Sequence, residues 1–375
     1  MNPAGPNRRV RPAVLILAIV CLLLGACAVE SPTVVPTPTP TATETATDYH
    51  AFSPPKEIGP GFLAGMSLDG SAAYVADTDD AFPQPGCEGQ PESVLFRLPL
   101  SGGARELLGD GKTPLKGNLV RGQDGRIALV DLCEGFFQGL AVGKESPDGH
   151  LTEVKEVMLP RREGEGPPAP FSFSWTPDGS SLLAAINDPD GPDGGPSRLV
   201  SINPDTGAIT ELFTGEGGSG VFQFAQLEGG AYVVASNRVV TFRDGEGRIT
   251  SSFPGNGFEV FPDFKHVVVY GETVGVATEG SEVVEILVPV KPDHEISSAS
   301  VSPDGKAAAF NRYALQTSDV EIGMVTVEDS KRSPVVAGTS YGSAMFSGDG
   351  RALGFNEFAS GPDFSVRVLV VQLGG

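Results

Sequence analysis

Seven short apolar runs recur along the chain: SAAYVAD, RIALVDL, SLLAAIND, AYVVAS, HVVVYG, KAAAF and RALGF. Several are nearly continuous rather than alternating, which is the pattern of strands buried on both faces between neighbouring sheets. No stretch beyond residue 30 keeps a helical period over three turns. A tight-turn signal precedes each run. In SVSPDGKAAAF, Pro303 presets φ for the second position of a turn, Asp304 can bond its own backbone, and Gly305 accepts the positive φ that closes a hairpin. Similar signals stand at SLDG (Asp69), GQDG (Asp124), TPDG (Asp178), LEGG (Glu228), FPDF (Asp263), SPDG (Asp304) and SGDG (Asp349). Their intervals of about 35 to 55 residues indicate a repeat architecture.

A second, offset echo, GHLT, GAIT and GRIT, marks another turn within the units. Each unit therefore predicts four strands and two hairpins. The third shows all four: FSFSWT, SLLAAIND, SRLVSIN and, after PDTG, AITELFT. Four-stranded blades set around a channel make a β-propeller. Seven signals predict seven blades; LEGG and FPDF are the weakest, and six or eight blades follow if they are misread. The last unit offers only three strands before Gly375. A ring with one short blade would leave an open edge, so the segment from Tyr49 to Ile58 is expected to supply the missing strand. The fold class is thus all-β, a propeller of seven blades with four antiparallel strands each, closed by an N-terminal strand.

The 49 glycines and 32 prolines suit many turns and few helices. Formal net charge is −21, which repels nucleic acid; the Arg161-Arg162 pair is followed at once by Glu163 and Glu165. An acidic surface keeps an exported chain soluble. The first residues, MNPAGPNRRVRPAVLILAIVCLLLGAC, combine arginines, an apolar run and small residues before a cysteine. That is an export signal, and Leu24-Gly25-Ala26-Cys27 resembles a bacterial lipobox, which implies lipidation of Cys27. An uncleaved membrane helix over Pro12 to Val29 is the alternative. SPTVVPTPTPTATETAT, from Ser31 to Thr47, reads as an extended tether. The expected organisation is a signal peptide over 1–26, a lipidated cysteine and tether over 27–48, and the propeller over 49–375. The chain is expected at the cell membrane, facing outside the cytoplasm, as a monomer.

Cys87 and Cys133 remain after the leader. A solitary pair in an oxidising compartment is most simply a disulfide, and a loop of roughly 46 residues would constrain the unfolded chain by about 4 kcal/mol. The repeat places Cys87 in the second-to-third-strand loop of unit one and Cys133 at the end of the second strand of unit two, on one face of adjacent blades.

TPDGSSLLAAI, SPDGKAAAF and SGDGRALGF resemble the WD-type repeats of TolB-like propellers. The resemblance spans residues 50 to 375 and implies the fold and an extracytoplasmic setting. TolB adds an α/β domain where this chain has only a tether, so its partner does not follow.

The longest connections, Asp77 to Ser93, Pro160 to Pro170 and Asn187 to Pro196, are expected on the channel-mouth face, where binding usually resides on rigid scaffolds. Asp188, Asp190 and Asp193 supply hard oxygen ligands for calcium. No glutamate follows at EF-hand spacing, and Asp, Gly and Pro are also ordinary turn residues; no other cofactor is implied. Of the four histidines, His50, His150, His266 and His294, only His294, beside Asp293 and Glu295, sits where a general base would meet substrate. A solvated loop histidine is the plainer reading. Trp175 is expected to pack between blades. Two functional classes follow: a non-catalytic binding or scaffold module for a protein, peptide or glycan at the cell envelope, and a propeller enzyme of lactonase, sialidase or quinoprotein type with its site at the channel mouth. Fold alone does not separate them.

Overall fold

The turn signals fold as their local chemistry dictates. In the computed structural model, Ser302 Oγ donates to Asp304 Oδ1 at 2.7 Å, the same oxygen accepts from Lys306 N at 3.0 Å, and Ser302 Oγ accepts from Ala307 N at 2.9 Å. Gly305 takes φ 70°. Ser67–Asp69, Thr176–Asp178 and Ser347–Asp349 repeat the device. The two weak signals also make hairpins: Gly229 turns at φ 83° in LEGG, and in FPDF Phe264 adopts φ 54° where its counterparts have glycine.

The structure describes residues 47–76, 94–108, 118–122, 125–133, 136–159, 170–186, 198–214, 221–317, 319–338, 341–359 and 365–374. Two N-terminal strands, β1 (Asp48–Phe52) and β2 (Lys56–Pro60), precede the regular repeat. The first blade is β3 (Phe62–Met66), β4 (Ala72–Ala76), β5 (Leu95–Pro99) and β6 (Glu106–Leu107); the second is β7 (Asn118–Arg121), β8 (Arg126–Cys133), β9 (Phe136–Glu145) and β10 (Leu151–Glu156). The third is β11 (Pro170–Trp175), β12 (Leu182–Ile186), β13 (Arg198–Ile202) and β14 (Ile209–Thr214). The fourth is β15 (Val221–Gln226), β16 (Tyr232–Ser236), β17 (Val239–Arg243) and β18 (Ile249–Pro254). The fifth is β19 (Gly257–Val260), β20 (His266–Tyr270), β21 (Val274–Thr278) and β22 (Glu285–Val288). The sixth is β23 (His294–Val301), β24 (Ala307–Ala314), β25 (Val320–Thr326) and β26 (Arg332–Gly338). The seventh contributes β27 (Met345–Phe346), β28 (Ala352–Ala359) and β29 (Ser365–Gly374).

Every sheet is antiparallel in chain order, and the first strands neighbour one another in a closed cycle from β3 through β27 and back to β3. The chain is a seven-bladed propeller. The N-terminal segment completes the last blade, but as two pieces: β1 and β2 both pair with β29. Pro54 and Pro55 lie between them, and proline has no N–H for a ladder.

Seven buried clusters fill the seven seams. In β12, Leu182, Ala184 and Ile186 face the second blade, while Leu183 and Ala185 face the fourth. Burial on both faces is why that run is continuously apolar, and each such leucine or isoleucine contributes roughly 1.5–3 kcal/mol. First-to-second and third-to-fourth turns define the base of the wheel. Second-to-third turns and interblade connections define the opposite loop face. Asp48 pairs with Gly374, at the end of the third strand of its blade, so the chain enters the ring at the base.

These turns also set acid stability. Burial by itself would raise the Asp69 carboxyl, but the Ser67 hydroxyl and the Ser71 N–H and hydroxyl hold it below its ordinary 3.8. The Thr176 hydroxyl and Ser180 N–H lower Asp178 likewise. A depressed folded value makes this stabilisation fully present above about pH 4 and lost as pH falls through it. Urea midpoints are therefore expected to decline below pH 4, and the decline should shrink in an Asp178→Asn variant.

Candidate functional site

On the loop face, between the fourth, fifth and sixth blades, one carboxylate gathers partners from three blades. The β23–β24 register sets Glu295 opposite Tyr313, and Tyr313 Oη donates to Glu295 Oε2 at 2.6 Å. Asn256, just before β19, donates Nδ2–H to Glu295 Oε1 at 2.5 Å. Arg238, on a tight turn where Asn237 and Arg238 have φ 49° and 61°, stands 3.5 Å from Oε1. The Glu295 side chain is 12% exposed. The bonds from Tyr313 and Asn256, then the Arg238 charge, hold its carboxyl below 4.5. The same bond from the other side raises the Tyr313 phenol. An ionised, saturated carboxylate of this kind fixes geometry and does not donate protons at neutral pH.

Next to it lies an open groove of about 590 Å³, lined in part by Lys291, Asp293, His294, Arg312, Thr317 and Asp319. His294 is the first residue of β23 rather than a loop residue. Its Nδ1 lies 2.8 Å from the Pro292 carbonyl. A carbonyl can only accept, so Nδ1 carries the proton, and a neutral imidazole presents Nε2 as the acceptor. Among the described residues, neither Asp293 nor Glu295 orients this ring. Arg312 is held by Glu321 at 2.8 Å, its cross-strand partner. The groove thus offers both charge signs, on strands at Arg312 and Glu321 and on their connections at Lys291, Asp293 and Asp319, an arrangement that suits recognition of a polar ligand.

Glu259 lies on the innermost strand of the fifth blade and is exposed while Phe258 beside it is buried. As a residue of an innermost strand it borders the axis of the wheel. The walls around it raise its carboxyl, and its exposure limits that rise.

Other expected residues are dispersed. Trp175 packs in the second–third seam and donates Nε1–H to the Val120 carbonyl at 3.2 Å. His150 sits in a base turn, His266 begins β20, and His50 lies on β1, 2.9 Å from Ser333 Oγ. Cys27, Cys87, Asp188, Asp190 and Asp193 lie outside the described residues, as do most of the long loops; Cys133 is the last residue of β8. Among the described residues, no group of three or more His, Cys, Asp or Glu is placed to hold a metal ion. No described helix is long and apolar enough to cross a membrane.

Sequence reasoning singled out His294 and passed over Glu295 and Glu259. For Glu295 the available signal is its place about nine residues before the Asp304 turn, matched by Tyr313 the same distance after it. Glu259 is an acidic residue within an otherwise apolar first strand, GFEV.

No family model and no curated protein matches the chain. Among solved structures it is similar to TolB from Acinetobacter baumannii, at 15% identity and TM-score 0.43, over 64% of this chain and 58% of that one. The match thus spans little more than half of that TolB chain. It is also similar to the periplasmic gluconolactonase PpgL of Pseudomonas aeruginosa, at 15% identity and TM-score 0.48, over 84% of this chain and 97% of that one. A third likeness is to the Dos1 propeller, at 11% identity and TM-score 0.49, over 87% and 96% respectively. Likenesses this distant carry no argument about activity, and the seven-bladed assignment stands on the strand order of the sheets.

Proposed function

We propose that this chain is a lipid-anchored, extracytoplasmic propeller that binds a protein, peptide or glycan at the cell envelope without chemical turnover. The observation that carries this reading is the entry of the chain at the base through Asp48. Entry at the base leaves the loop face, with its groove and its saturated Glu295 network, on the side away from the chain's point of entry. The Cys27 lipid, the Cys87–Cys133 disulfide and calcium at Asp188, Asp190 and Asp193 belong to the same reading. Each has a direct measurement: membrane release of Cys27→Ser, non-reducing mass analysis, and calcium titration against Asp190→Asn.

The main test is site-specific photocrosslinking in intact envelopes. A photoreactive residue at Gln316, on the loop-face groove, is expected to trap a discrete partner, whereas one at Asp205, on the base of the third blade, is not. Equal labelling from both positions, or none from Gln316, rejects the reading.

One observation favours a propeller enzyme instead. Glu259 is an exposed carboxylate on an innermost strand, a place where a general acid or base would meet a substrate in the channel. Turnover of a lactone or glycoside that vanishes in Glu259→Gln would establish that alternative.

A further inference from the structure

At the base, the seam between the fifth and sixth blades opens into a groove of about 870 Å³. Its wall continues the interblade core, since Phe261, Val276 and Val327 belong both to that cluster and to the lining. The seam gapes because β22 has only four residues and begins at Glu285, whereas its counterpart β26 has seven. Residues 279–284 form the turn before β22 rather than extending it: Val284 packs back on the fourth–fifth core, whereas Val283 is left 72% exposed.

The rim is acidic. The β20–β21 register sets His266 opposite Thr278, and the β21–β22 register sets Val276 opposite Glu285, so these side chains share the face toward the sixth blade. Asp304 and Gly305 stand across the gap. Asp263 Oδ2 lies 2.5 Å from His266 Nδ1, and its Oδ1 accepts from Lys265 N at 2.9 Å. Asp304 Oδ1 is taken by Ser302, Lys306 N and Tyr49, which leaves Oδ2 with Lys306 Nζ at 3.7 Å. Burial would raise both carboxyls, but these hydrogen bonds outweigh it and keep them ionised. Among the described residues that line the groove none is lysine or arginine. Of the lysines beside it, Lys265 is engaged by Glu228 at 3.1 Å and Lys306 stands 3.7 Å from Asp304 Oδ2, which leaves Glu285 as the carboxylate with no cation against it among the described residues.

Three carboxylates on a valine wall are complementary to an aliphatic body that carries cations. We propose that this groove binds a cationic amphipathic peptide segment, with an aliphatic side chain against Val276, Val283 and Val327 and flanking Lys or Arg groups against Asp263, Glu285 and Asp304. A second copy of this chain is a poor fit, because each copy carries a net charge of −21.

The test uses a fluorescein-labelled hexapeptide, Lys-Leu-Lys-Val-Lys-Leu, capped at both ends and titrated with the full chain by fluorescence anisotropy. Saturable one-to-one binding is expected, weakening with added salt. Glu285→Lys and Val283→Asp alter exposed side chains that the fold does not need, and each is expected to weaken binding about tenfold. Asp319→Lys makes the same charge change in the loop-face groove and should leave binding unaltered. The proposal is overturned if Asp319→Lys weakens binding as much as Glu285→Lys. It also fails if a Lys-Ser repeat or the Glu-for-Lys peptide binds equally well, or if sedimentation shows a dimer that Val283→Asp dissociates.

Discussion

Replacing Glu145 with alanine is expected to lower the stability of the ring by about 3 kcal/mol, because it removes the shared acceptor of a partly buried arginine and of the Leu68 N–H. Glu145, at the end of β9, has a side chain with 0% exposure. It pairs with Arg121 at 2.8 Å and accepts the Leu68 N–H of the first blade at 2.6 Å. Arg121 also donates to the Met66 carbonyl, and its Nε is buried with no partner. An N–H of the first blade and a guanidinium of the second thus share one carboxylate. Glu145→Gln keeps an acceptor for Leu68 but loses the charge, so it should fall between wild type and alanine. A paired Glu145→Leu, Arg121→Met change removes both charges together and is expected to cost less than Glu145→Ala alone. Urea denaturation of the four proteins checks the order, and an alanine variant within 1 kcal/mol of wild type would contradict the account.

Tyr49→Ala is expected to open the ring at its closure, with a loss of about 3–5 kcal/mol for a buried aromatic. Tyr49 is 4% exposed, meets Phe346 edge-on at 6.0 Å, and donates to Asp304 Oδ1 at 2.9 Å. The closing strand is thereby tied to the sixth blade as well as to β29. Tyr49→Phe keeps the ring and loses only the hydrogen bond, about 1 kcal/mol. The two effects separate packing from polarity at one position. Burial pushes the Tyr49 hydroxyl from 10.0 up to about 12. A raised folded value means that its contribution is complete below about pH 10 and lost as pH rises through 12. The wild-type advantage over Tyr49→Phe should therefore be constant up to pH 9 and vanish by pH 12 in urea midpoints. An advantage that persists at pH 12 would show that the phenol is not held protonated by its site.

How far each feature could be read from the chain depends on how local its chemistry is. The Ser302–Asp304 turn is complete within six residues, from Ser302 to Ala307, so its sequence carries its geometry. Phe264 shows the limit of that code, since FPDF turns without the glycine that marks the other first-to-second hairpins. The closing strand was legible as a deficit, because three strands cannot fill a four-strand blade. Its division into β1 and β2 was also written in the chain, as Pro54-Pro55. The carboxylates that matter were not legible. Leu68 and Glu145 are 77 residues apart, and Asn256 and Glu295 are 39 apart; no spacing rule within one unit joins them.

The sequence by itself determined the strands, the turns between them and the need for an N-terminal closure, and it predicted seven blades with six or eight still open, because these follow from hydrogen bonds and short apolar runs over a few neighbouring residues. Only the tertiary structure decided which charged groups meet. Where one blade leans on the next sets the Arg121–Glu145 pair, the partners of Glu295 and the gap beside β22. Those positions depend on how whole sheets pack face to face, which is fixed by the summed shape of side chains on both and is not written in either strand alone.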